Sequence, residues 1–241
     1  MKDLRSFTPA RVALGRAGNS LPTAELLDFQ LAHARARDAV HHPFDALELQ
    51  SELARRGWPS TIVRSAARDR ETYLTRPDLG RRLDPKCAVR GNSVPPLPPC
   101  VIVLADGLSP QAATRHAIPL LTELIPLFEE TPPIVIAGQA RVALGDEIGE
   151  LMGAECVAVL IGERPGLTSP DSMGAYLTWA PRIGRTDAER NCISNIRPEG
   201  LPPPAAARLL HLLLSEARRR RLSGVNLKVE LNQLPDPGPR P

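Results

Sequence analysis

The sequence predicts an α/β protein, a Rossmann-like parallel sheet flanked by helices and preceded by a helical amino-terminal arm. Three observations carry this expectation. Three unbroken apolar runs have strand length: Cys100-Val101-Ile102-Val103-Leu104-Ala105, Ile134-Val135-Ile136-Ala137 and Cys156-Val157-Ala158-Val159-Leu160-Ile161. Helical patterns separate them, and strands that are apolar throughout belong in a parallel sheet covered on both faces. The stretch ahead of them has helical spacing and nothing that alternates like a strand over more than a few residues.

In chain order, Pro22-Thr23 opens a helix on which Leu26, Leu27, Leu31 and Ala34 recur at helical spacing. A second helix is expected over residues 44–56 and stops at Gly57. Residues 73–83, YLTRPDLGRRL, read as a short helical or turn segment rich in arginine. The proline run at 94–99 is a stiff extended segment that marks a boundary between an arm of residues 1–94 and an α/β domain of residues 95–232. Ser109 caps a helix reaching Leu124 with a break at Pro119, and a helix over 146–152 stops at Gly153. The last long helix, 205–222, ends at Ser223-Gly224 with Arg218 to Arg221 where the helix dipole favours cations. VNLKVEL alternates as an edge strand would, and a proline-rich tail of residues 233–241 follows.

The 241 residues are 42% hydrophobic and 24% charged, which excludes disorder as the global state. A formal charge of +3 with only 3% aromatics argues against nucleic acid as a partner. No stretch approaches the roughly 18 uninterrupted apolar residues of a membrane helix, and the first residues lack an apolar signal core, so a cytoplasmic protein is expected. Cys87, Cys100, Cys156 and Cys192 lack zinc or CxxC spacing, and Cys100 and Cys156 read as inert core thiols. GxGxxG after a strand, GxxxxGK[ST], HExxH and GxSxG are all missing.

Ligands of open parallel sheets bind beyond the carboxyl ends of the strands. The apolar runs therefore aim three glycine-bearing loops at one rim: Asp106-Gly107-Leu108-Ser109, Gly138-Gln139-Ala140-Arg141-Val142 and Gly162-Glu163-Arg164-Pro165-Gly166. Glycine there permits close backbone approach by a ligand. Cys192 stands apart from the other thiols in a polar string, DAERNCISN, where a nucleophile with a depressed pKa is one reading.

The strings ARVALGDEIGELMGAECVAVLIGERPGL, YLTWAPR and ERNCISNIRPEG, with GRAGNSLPTAELLDFQLAHARARDAV and YLTRPDLGRR ahead of them, resemble the light chain of ethanolamine ammonia-lyase. The likeness runs in order over residues 11–228. It implies a chain with no catalytic residue or metal ligand of its own. With a large subunit, in a large/small hetero-dodecamer, it would help bind adenosylcobalamin at the subunit interface. The family's enzyme converts ethanolamine, held mainly by the partner, into acetaldehyde and ammonia by radical chemistry that the cofactor carries. Carried over by matching residues, the cobalamin contacts fall on Val142, Glu163 and Cys192. The DxHxxG string that offers a histidine to cobalt is absent, in keeping with this family. Relatives with a longer amino-terminal extension are packaged in a bacterial microcompartment, and the short lead here points to a free cytoplasmic enzyme. A self-sufficient Rossmann-like hydrolase or transferase using Cys192 is the alternative from another class.

Overall fold

The computed structural model describes residues 7–8, 10–87 and 98–229. In chain order the elements are α1 (Thr23–His41), α2 (Ala46–Arg55), β1 (Ser60–Arg64), α3 (Arg70–Thr75), β2 (Cys100–Ala105), α4 (Pro110–Leu124), β3 (Ile134–Gly138), α5 (Leu144–Leu151), β4 (Cys156–Gly162), β5 (Met173–Trp179), β6 (Arg190–Ile196) and α6 (Pro203–Arg220). One six-stranded sheet runs β1-β3-β2-β4-β5-β6. The three apolar runs are its centre, paired in parallel with Ile102 beside both Ile134 and Ala158. Leu104, Leu160 and Ile136 there are fully buried, each side chain contributing about 1.5–3 kcal/mol by leaving water.

The sheet is mixed, which corrects the expectation of a parallel one. β5 returns antiparallel to β4, and β6 antiparallel to β5. A short loop between Gly162 and Met173 suffices for this return, whereas a parallel neighbour needs a crossover of a dozen residues or more. A strand also lies ahead of the proline run, where none was expected: β1 pairs in parallel with β3, from Ser60 beside Ile134 to Arg64 beside Gly138. Most of that proline run, and the tail from residue 230, lie outside the described residues. Gly224–Asn226 form a 3₁₀ turn instead of the start of an edge strand. Asn191 ties that turn down by accepting from Gly224 N at 2.7 Å and donating to Leu227 O at 3.2 Å.

Helices α2, α4 and α6 cover one face of the sheet, and α5 with the segment from Val63 to Leu83 covers part of the other. Side chains cap three of the helices: Asp45 for α2, Asp69 for α3 and Ser109 for α4. Pro119 does not break α4. It stands on the exposed side, where the Arg115 carbonyl it deprives of a partner can bond to water. The spacing on α1 is helical as expected, but its leucines do not face inward. Ala32 and Ala39 are the buried residues, while Leu26, Leu27, Phe29 and Leu31 are 40–57% exposed. Among the described residues no helix is long and apolar enough to cross a membrane.

Candidate functional site

In the order β1-β3-β2-β4, β2 lies between its two successors in the chain, β3 and β4, so the crossovers part at the carboxyl end of β2. Such a switch point opens a crevice. Here it is a cleft of about 480 Å³ lined by Leu108 after β2, Arg141 and Val142 after β3, and Gly162, Glu163 and Arg164 after β4, with Tyr73, Tyr176 and Ser194 completing it.

Asp106 ties these loops together. Its Oδ1 accepts from Gly107 N and Ala140 N, each at 2.9 Å, and Leu108 N donates to Gly162 O at 3.0 Å. Arg70 joins from outside the sheet, with Nη1 3.3 Å from Asp106 Oδ2, Nη1 donating to Gly107 O, and Nε donating to Val40 O at the end of α1. Glycine works differently from the expectation. A Cβ at Gly107 would stand 2.2 Å from Gly162 O, and one at Gly162 would stand 2.0 Å from Ser109 O. These two glycines let the β2 and β4 loops touch each other, and only through that contact do they shape a ligand surface.

Burial lifts the Asp106 carboxyl to about 6, against the backbone donors and Arg70, which pull it down. The charged group facing it is Arg70 from α3. A folded value above the ordinary 3.8 means that the folded state holds the proton more tightly. Its stabilisation is complete below about pH 4 and is lost as pH rises through about 6. Relative to Asp106→Asn, the parent should lose about 2–3 kcal/mol between pH 4 and 7, each tenfold gain in proton affinity being worth about 1.4 kcal/mol. Urea unfolding of both proteins across that range measures it, and parallel curves would refute it.

The structure brings Val142 and Glu163 into one cleft and sets Cys192 at its edge. The Glu163 carboxylate joins three elements: Oε2 accepts from Ser172 Oγ at 2.6 Å and Asn195 N at 3.2 Å, and Oε1 accepts from Ser194 Oγ at 2.6 Å. Cys192 on β6 pairs with Tyr176 on β5, which sets the two side chains side by side on the sheet. Cys192 and Ser194 share the sheet face toward the cleft, the face on which Arg190 of the same strand meets Asp146 of α5. Burial raises the Cys192 thiol and the Glu163 charge adds to this, while the neighbouring Tyr176 hydroxyl opposes them. A depressed, nucleophilic thiol is therefore overturned, because thiolates need cations or a base beside them. Cys100 and Cys156 are buried neighbours on β2 and β4, and burial pushes the first up to about 12 and raises the second as well. Among the described residues no group of three or more His, Cys, Asp or Glu could hold a metal ion.

Sequence reasoning did not assign Tyr73, Tyr176, Ser194 or Arg70 to the site. The arginine-rich YLTRPDLGRR segment was the available signal, because it folds back over the β3 loop. Tyr73 donates to Ala140 O at 3.1 Å, Arg141 N donates to Gly80 O at 2.8 Å, and guanidiniums from Arg70 and Arg141 lie 4.7 and 4.3 Å from the Tyr73 ring centre. Burial raises the Tyr73 phenol, which remains a donor.

Fold and crevice together define an α/β protein with an open ligand surface at the switch point of its sheet. The chain belongs to the ethanolamine ammonia-lyase light chain family, whose model matches residues 1–228. It is 57% identical over 246 residues to the ethanolamine ammonia-lyase small subunit of Azotobacter vinelandii, covering 95% of this chain and 88% of that one. Proteins of the same name from Xanthomonas campestris pv. campestris strain B100 and Pseudomonas fluorescens strain Pf0-1 are 55% and 54% identical over 95% of this chain, covering 88% and 86% of theirs.

Proposed function

We propose that this chain is the small subunit of an adenosylcobalamin-dependent ethanolamine ammonia-lyase and that its switch-point cleft forms one wall of the cobalamin site. The observation that carries this reading is the meeting of Val142 and Glu163 in one cleft, with Cys192 joined to it through Tyr176, in a chain of this family. The cleft suits a corrinoid in kind. It offers an apolar floor from Val142, Leu108, Ile161 and the Tyr176 ring, with polar groups at its edge. In extent it falls within the ~300–1,000 Å³ of pockets for much smaller ligands, so the opposite wall must come from elsewhere.

Adenosylcobalamin, when bound, supplies the radical chemistry that takes ethanolamine to acetaldehyde and ammonia. This chain's own residues bind and orient. Glu163 holds the ends of β4 and β6 together, so the surface presented by Gly162, Ser194 and Cys192 is set before a ligand arrives. Val142 and the Tyr176 ring exclude water from the face they cover. Leu26, Leu27, Phe29 and Leu31 on α1 are exposed apolar side chains of the kind that a large subunit would bury.

Co-expression with a large subunit tests the proposal. The complex should purify with a corrin absorption spectrum and release ammonia from ethanolamine only with adenosylcobalamin, and this chain alone should do neither. Turnover by the isolated chain, or a complex that never retains cobalamin, would end the reading. In the same complex, Glu163→Ala should weaken cobalamin retention about tenfold, as loss of roughly one or two charge-assisted hydrogen bonds implies, with assembly intact. Equal retention by parent and variant would remove Glu163 from the site.

A further inference from the structure

A second cleft, of about 560 Å³, continues from the first across Arg141 and Val142 and is lined by five arginines: Arg81, Arg82, Arg141, Arg185 and Arg190. Most of their charge is matched within the chain. Asp146 and Asp187 face Arg190, Glu189 pairs with Arg185, and Glu147 pairs with Arg82 at 3.5 Å. Five cations against four carboxylates leave a net charge of +1: two of the carboxylates face Arg190, so Arg81 and Arg141 stand without a carboxylate partner among the described residues, Arg141 where the two clefts meet. Arg141 is held in place by Nη2 donating to Tyr73 O at 3.1 Å and by the Tyr73 ring beneath it, yet its Nε is buried with no hydrogen-bond partner. A buried donor left unbonded is costly, and a guanidinium matches the geometry of a phosphate.

We propose that Arg81 and Arg141 form a subsite for a phosphodiester monoanion, whose single charge balances the surplus. Only the source of that phosphate rests on the cobalamin reading, since a corrinoid cofactor with a nucleotide arm carries one such group. A corrin lying over Val142 and Glu163 would direct that arm along the continuous groove toward the arginines. A free phosphate ester is the other source.

The test has two arms. In the first, the full chain is titrated with dimethyl phosphate and followed by ³¹P line width, comparing parent, Arg81→Gln, Arg141→Gln and, as control, Arg218→Gln, whose side chain pairs with Glu155. Binding should weaken at least tenfold in the first two variants and stay unchanged in the control. Equal broadening in all four would overturn the subsite. Arg81 is exposed, so its variant keeps the test decisive should Arg141→Gln fail to fold. In the second arm, the complex with a large subunit is offered cobalamin or cobinamide, which lacks the nucleotide arm. Arg81→Gln should weaken cobalamin binding about tenfold and leave cobinamide binding unchanged. An equal effect on both would overturn the cofactor as the source. Parent complexes that retain neither corrinoid, beside a chain that still binds dimethyl phosphate through Arg81, would sink the cobalamin reading while upholding the subsite.

Discussion

Arg190→Leu is expected to cost the fold about 3–5 kcal/mol, the usual penalty for removing one partner of a buried ion pair. Arg190 Nη1 and Nη2 meet Asp146 Oδ1 and Oδ2 at 2.6 and 2.7 Å, and both side chains are 2% exposed. Nη1 also donates to Thr178 Oγ1 and Nη2 to Arg185 O. This fork fastens β6 to the first turn of α5, and so Cys192 to the loop that bears Val142. Burial already raises the Asp146 carboxyl against the pull of Arg190. Without the guanidinium it would be an uncompensated buried charge, so the deficit should be largest near neutral pH and shrink in acid. Arg190→Leu combined with Asp146→Leu should recover most of the loss, because an apolar pair carries no desolvation cost. Thermal and urea unfolding of the three proteins decide it, and a single variant within about 1 kcal/mol of the parent would contradict the assignment, surface changes being worth that little.

Gly162→Ala should be the most damaging single-methyl change at the rim. Its Cβ would stand 2.0 Å from Ser109 O and 2.6 Å from Asp106 O, both backbone atoms that cannot step aside alone. Overpacking of this kind costs about 1–3 kcal/mol and sometimes more. The strain would fall on the contact between the β2 and β4 loops, so cobalamin retention in the complex should fall further than with Glu163→Ala. Gly138→Ala is the matched control, since its nearest new neighbour would be Val63 O at 4.0 Å. Equal stability of the Gly162 and Gly138 variants would mean that the loops are not in contact in solution.

The centre of the sheet was legible because β2, β3 and β4 are apolar on both faces, a pattern that fits little else at that length. The outer strands were not. β1 is five residues long, and β6, RNCISNI, places Arg190, Cys192 and Ser194 on one face, so its polarity reads as loop until Asp146 and Glu163 are seen to meet it. Asp146 itself reads as an ordinary first-turn acid, and only the packing of β6 against α5 shows it as half of a buried pair. The loops that bear Val142 and Glu163 were legible as one rim because each follows an apolar strand, whereas the choice of those two residues within the loops rested on the family resemblance alone. Tyr73 and Arg81 come from a segment ahead of the proline run, and no local pattern tells that it folds back over the rim.

The chain has two tyrosines, Tyr73 and Tyr176, and both line the same cleft. Incorporating 3-fluorotyrosine would therefore give a ¹⁹F spectrum of two resonances, each a reporter placed at the crevice by the fold itself. One signal would register events at the β3 loop and the other events beside Cys192, so occupancy could be followed from both sides at once without any added label.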